Sequence, residues 1–200
     1  MPIPPESLPY APPRRGASRP RRRTFLSRSA LLFALAAAAV PAREYRALKG
    51  ESSLTYVLVH PMHKVVGVSR DFDCTVDLSA DTVSSVIRVS ADVLKFDSGN
   101  SSRDSHAMEV VEYRKHPKVA FASTSIKPAG DGYDVAGELS FHGRTRPVAF
   151  HVAPKVGASR IEIAGTFTVK LSDFDVPRPR LMLVPVKDEL ILRFDLFAEP

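Results

Sequence analysis

The side chains with chemistry to offer are six histidines, one cysteine and a few acids and arginines close to them. His60 and His63 flank Pro61-Met62, Asp104-x-His106 sits among serines, and His142 precedes Gly143, Arg144 and Arg146. Such a set is open to three uses. Imidazoles and carboxylates ligate metals. An acid beside a histidine can activate a hydroxyl. Arginines grip pyrophosphate or other anionic head groups. The spacing supports none of these as catalysis. There is no His-Glu-x-x-His, no Gly-x-Ser-x-Gly, no Ser-x-x-Lys and no glycine-rich phosphate loop. The residues therefore assign no catalytic group, no metal ligand and no cofactor. Cys74, alone, excludes an internal disulfide and reads as a small strand residue.

Charge narrows the choice further. The chain carries a net charge of +6. Residues 1–42 hold seven arginines, no lysine and one acid, Glu6, so they account for all of it. The 21 basic and 21 acidic residues of 43–200 cancel. A nucleic-acid groove is not expected on a balanced domain.

The first 42 residues read as a Pro/Arg-rich tail plus an export signal. Arg22-Arg23-Thr24-Phe25-Leu26-Ser27 precedes the apolar run Ala30 to Val40, which ends in Pro41-Ala42. A basic segment, a short apolar segment and a small-residue exit form a secretory signal. The run falls short of the roughly 20 residues that span a bilayer. The Arg-Arg-x-Phe-Leu string resembles the twin-arginine export signal of bacteria. Cleavage near Ala42 and a periplasmic or secreted product are expected.

Positioning the candidate groups falls to strands. From residue 52 onward the hydrophobic period is two. Tyr133, Val135, Gly137, Leu139 and Phe141 share one face, as do Ile161, Ile163, Gly165, Phe167 and Val169, and again Leu190, Leu192, Phe194 and Leu196. Weaker alternation runs through 53–59, 64–77, 82–96, 118–127 and 146–156. Glycine-rich turns, such as Gly130-Asp131-Gly132, separate the segments. Residues 101–113 break the pattern and predict one short helix, capped by Ser101 or Ser102. No long amphipathic helix covers a flat sheet, so the apolar faces must cover one another. The expected fold is all-β: an antiparallel barrel of about eight strands with one short helix. Such a barrel is filled by its own side chains or holds one small ligand, and periodicity does not choose between them.

Four strings, in order, carry a family resemblance. They are His63-Lys64-Val65-Val66-Gly67-Val68-Ser69, then Phe96-Asp97-Ser98-Gly99-Asn100 running into Arg103-Asp104-Ser105-His106, then His116-Pro117-Lys118-Val119-Ala120-Phe121-Ala122-Ser123, and Gly137 to Val148. Together they resemble the YceI-like family of exported lipid-binding proteins, over roughly residues 50–198. The resemblance implies a lipocalin-like barrel with a helical insertion and an apolar tunnel for a polyisoprenoid or isoprenoid quinone. The chain departs from the family pattern at Ser105–Tyr113 and at Phe174–Leu181.

On this reading Phe72, Phe96, Phe121, Tyr133, Phe141, Phe150, Phe167 and Phe194 are candidates to line the tunnel. His63, Asp104, His106, His142 and Arg144 are candidates for a polar mouth. The expected activity is carriage or sequestration of the lipid, without catalysis. Transient membrane contact and a monomeric or homodimeric state go with it. The alternatives are a structural or stress-response barrel without ligand and, behind it, a histidine- or metal-dependent hydrolase.

Overall fold

The computed structural model describes residues 43–79, 85–181 and 184–200, so the tail and export signal of 1–42 lie outside the described residues. Chain order runs β1 (Arg43–Ala47), β2 (Ser53–His60), β3 (His63–Ser69), β4 (Phe72–Leu78), β5 (Val86–Asp92), α1 (Ser101–Val110), β6 (Lys118–Ala129), β7 (Gly132–Phe141), β8 (Arg144–Val152), β9 (Lys155–Val156), β10 (Ile161–Lys170), β11 (Arg180–Leu181), β12 (Val184–Pro185) and β13 (Glu189–Glu199). Single 3₁₀ turns occupy Val93–Lys95 and Leu171–Phe174.

Eleven of these strands form one antiparallel sheet that curls into a half-barrel, while β11 and β12 make a separate small ribbon. The long strand β13 is its spine. On one side β13 pairs with β10 from Ile161↔Ala198 to Lys170↔Glu189. On the other it pairs first with β2, Leu190↔Leu58 to Asp195↔Ser53, and then with β1, Ala198↔Ala47. The turn between β1 and β2 would leave a gap in that ladder. Ser52, fully buried, closes it: its hydroxyl donates to the Phe197 carbonyl at 3.2 Å and accepts the Phe197 N–H at 3.0 Å. From β1 the sheet continues through β4, β5, β6, β7 and β8.

Among the described residues no backbone pairing joins β8 to β10. Aromatic rings meet there instead: Phe150 of β8 stacks on Phe167 of β10 at 4.9 Å and meets Phe194 of β13 edge-on at 5.3 Å. Contacts of this kind add about 0.5–1.5 kcal/mol beyond area burial.

The alternation seen in sequence sets the faces. Val135, Leu139, Ile161, Ile163, Val169, Leu190 and Leu196 are buried, while Asp134, Glu138, Ala164, Thr168 and Arg193 are exposed. Cys74 is a buried strand residue, and burial pushes its thiol up to about 12. The stretch 64–77 is two strands, not one. The chain breaks at Arg70-Asp71, because β3 pairs with β2 whereas β4 pairs with β1 and β5. The helix spans 101–110, and its cap is Asn100 rather than a serine: the Asn100 side chain accepts the Arg103 N–H at 2.9 Å. No α1 residue is fully buried, so the helix lies over the sheet without entering the core. No helix among the described residues is long and apolar enough to cross a membrane.

Candidate functional site

The inward face of the half-barrel is not fully packed. Leu54, Tyr56, Leu58, Phe96, Phe141, Phe150, Phe167, Leu192 and Phe194 point inward yet remain only half-buried. Inward apolar side chains that keep exposed surface border a void. That void has two lobes. The inner lobe, about 100 Å³, is walled by Val89, Phe121, Phe150, Ile163, Phe167 and Phe194 among others. The outer lobe, about 420 Å³, lies between Tyr56, Leu58, Phe141 and Leu190 of the sheet and Ala107, Val110 and Val111 of the helix segment. Phe96, Val119, Leu139 and Leu192 border both lobes, so the two share one neck.

Two glycines make room for the rings. Gly165 lies directly opposite Phe194, and a Cβ there would sit 2.3 Å from the Phe194 ring. Gly137 does the same for Phe121, at 2.6 Å. Each ring lies flat over a strand instead of plugging the hollow. This is the physical role of the two glycines on the apolar faces.

Polar groups gather at the outer end. His63, Arg103, His106 and Arg180 all border the outer lobe, together with His60. His60 has both ring nitrogens engaged. Nδ1 accepts the Met62 N–H at 3.2 Å, so Nε2 carries the proton that it donates to the Val184 carbonyl at 3.2 Å. His60 thus fastens the β2–β3 turn to β12, while His63, 5.2 Å away ring to ring, is exposed. Arg103 is held by Ser98, donating Nε to its Oγ at 2.8 Å and Nη2 to its carbonyl at 2.5 Å. The Tyr56 phenol is held above its ordinary value, chiefly by burial and then by the Asp104 charge, so it stays a neutral O–H. Tyr56 also packs on Phe96, with ring centroids 5.7 Å apart.

Of the eight aromatics expected to line a tunnel, Phe96, Phe121, Phe141, Phe150, Phe167 and Phe194 border the hollow. Phe72 is buried in the core, and half-buried Tyr133 packs against the core without bordering either lobe. Their parity is right, but they sit on parts of β4 and β7 away from the void. Of the expected polar mouth, His63 and His106 border it. Asp104 does not. Its carboxylate accepts the Ser98 hydroxyl at 2.5 Å and the Ser98 N–H at 3.2 Å, which shapes the turn into α1. Asp104 is thus engaged by Ser98, and the acid that His106 faces is Glu109, at 3.8 Å. His142 lies in the β7–β8 turn and Arg144 opens β8. They fasten that turn to the Leu171–Phe174 turn, His142 through the Phe174 carbonyl at 2.9 Å and Arg144 through Asp175 at 2.6 Å. Sequence reasoning missed Tyr56, Arg103 and Arg180. The signal available for Arg103 was its place on the one predicted helix.

Comparisons with known proteins agree with this geometry. Residues 45–198 match the YceI-like domain. A UPF0312 protein of Pectobacterium atrosepticum is 30% identical over 173 residues, 78% of this chain and 87% of that protein. The structure of BcnA from Burkholderia cenocepacia superposes with a TM-score of 0.70 at 23% identity, covering 76% of this chain and 99% of that one. A polyisoprenoid binding domain from Saccharophagus degradans, implicated in plant cell wall breakdown, superposes with a TM-score of 0.58 at 14% identity, covering 78% and 97%. A hollow antiparallel half-barrel, a helix laid over its open end and a family match across nearly all the described residues lead to one assignment: the chain belongs to the YceI-like domain family.

Proposed function

We propose that this protein is an exported binding protein that holds a polyisoprenoid or isoprenoid-quinone-like lipid in the half-barrel, as a carrier or sequestering agent. The observation that carries the proposal is a two-lobed apolar hollow whose bordering imidazoles, His60, His63 and His106, lie with Arg103 and Arg180 at its outer lobe, while Arg193 is, among the described residues, the one charged residue bordering the inner lobe. Its outer lobe alone, about 420 Å³, falls within the roughly 300–1,000 Å³ typical of ligand pockets. Apolar burial drives the loading, at about 0.8 kcal/mol gross per methylene removed from water. The chain of the lipid runs past the Phe96–Leu192 neck toward the phenylalanines. Its polar head stays by His63, Arg103 and His106. No covalent step is required, and the fold is that of a binding family. The fit to a polyisoprenoid rests on the shape of the hollow and on the resemblance to a domain that binds one.

The direct test is extraction. Protein purified without detergent, extracted with organic solvent and analysed by mass spectrometry, should yield an isoprenoid near one per chain. An empty extract, from protein that also fails to take up added isoprenoid, would sink the proposal. Narrowing the neck is a second test. Leu192→Trp, at a half-buried position bordering both lobes, should reduce bound long-chain lipid at least tenfold while the protein stays folded.

Export rests on Arg22-Arg23-Thr24-Phe25-Leu26 and the apolar run that follows. Replacing both Arg22 and Arg23 by Lys should leave uncleaved precursor in the cytoplasmic fraction. Unchanged export would reassign the segment to an ordinary secretory signal.

A further inference from the structure

Three groups that the hollow does not use converge on its outer flank. Glu112 and His116 are four residues apart in the turns after α1, and His142 sits on the β7–β8 turn. Glu112 Oε2 lies 3.7 Å from His142 Nε2 and 3.9 Å from His116 Nε2. One ligand atom from each of the three falls within 4.8 Å of the others. The two imidazoles meet edge to face, with centroids 5.0 Å apart.

His142 decides what the cluster is for. Its Nδ1 lies 2.9 Å from the Phe174 carbonyl, which can only accept, so Nδ1 carries the proton. In the neutral ring the lone pair is then on Nε2. The side chain is 8% exposed. Nε2 is buried, has no hydrogen-bond partner and faces Glu112 and His116. A buried lone pair left without a partner is costly. A backbone carbonyl on the opposite ring nitrogen is the usual arrangement that orients a metal-bound histidine. Supporting features surround it. His142 and Gly143 form the two-residue hairpin turn between the paired Phe141 and Arg144, and the positive φ such a turn requires, 49° at His142, fixes where its imidazole stands. Gly143, at φ 72°, lets His116 close in, since a Cβ there would lie 2.6 Å from the imidazole. Lys115 donates to the second Glu112 oxygen at 2.7 Å, which leaves Oε2 turned to the two imidazoles.

We propose that Glu112, His116 and His142 form a binding site for one first-row divalent cation of the zinc type, with solvent completing the coordination. Two imidazoles and a carboxylate suit such an ion, whereas magnesium and calcium prefer all-oxygen sets. Metal–ligand bonds of about 2.0–2.1 Å in a tetrahedron put ligand atoms roughly 3.3 Å apart, so the Glu112 distances of 3.7 and 3.9 Å must shorten slightly and the two imidazoles must draw together on binding. The site joins the exit of α1 to the β7–β8 turn. Phe141, Val110 and Val111, adjacent to it in sequence, border the outer lobe. The ion thus pins the helix segment against the mouth of the hollow.

The test uses the full chain, stripped with a chelator. Calorimetric titration with ZnCl₂ should show one equivalent bound, and titration with CoCl₂ should give the visible absorption of tetrahedral cobalt. Glu112→Gln and His116→Ala, at positions that are not fully buried, should each weaken zinc beyond the roughly 10–100-fold that losing an outer-sphere partner costs. His151→Ala, beside Asp131 and Asp134, should leave binding unchanged. Absence of stoichiometric binding overturns the proposal, as does binding that survives both cluster variants. It also fails if His142 proves doubly protonated and paired with Glu112 in the chelator-treated and zinc-treated protein alike.

Discussion

The two ends of the hollow are built from different materials. The inner end is built on strands: β6, β8, β10 and β13 present Phe121, Phe150, Phe167 and Phe194, locked by ring contacts of 4.9–5.4 Å, with Phe121 and Phe194 seated over glycines. The mouth is built from α1 and the small β11–β12 ribbon: Arg103 and His106 border the void from a helix with no fully buried residue, and Arg180 from β11. The inner end thus couples cavity shape to global stability. The mouth can change its side chains at little cost to folding. Under the proposed function, the chain-length gauge falls in the rigid part and head-group recognition in the adaptable part.

Three substitutions test that division. Phe121→Ala removes a buried ring that contacts Phe150 at 5.4 Å. It should cost about 3–5 kcal/mol in urea unfolding. A loss below about 1 kcal/mol would mean that the inner end is not structural. Gly165→Ala forces the Phe194 ring away from β10. Overpacking of that kind costs about 1–3 kcal/mol, and the displaced ring should shorten the lipid recovered by mass spectrometry. An unchanged chain length would break the link between ring seating and the gauge. His106→Ala, at the exposed mouth, should change stability by less than about 0.5 kcal/mol yet lower lipid retention several-fold. Equal retention would remove His106 from head-group recognition.

Much of the fold was legible because alternation is a local property. A residue's parity fixes its face, and the pairs Tyr133/Asp134 and Phe167/Thr168 carry that information without reference to any neighbour. The break at Arg70-Asp71 was not legible, since both halves alternate. Only the partners of β3 and β4 show that the chain changes place in the sheet. Asn100 displaced the expected serine cap because asparagine offers the same acceptor one residue earlier.

By itself the sequence determined that the chain is a strand protein with apolar faces, a balanced charge after residue 42 and one short helix. The resemblance of its four strings added the family. Only the tertiary structure decided that Phe150 and Phe167 close the β8–β10 seam while Phe72 packs in the core, and that His106 faces the void while His142 turns to Glu112 and His116. The reason is physical. Parity says which way a side chain points, but a void or a ligand cluster depends on curvature and register between strands far apart in the chain, and no local pattern encodes those.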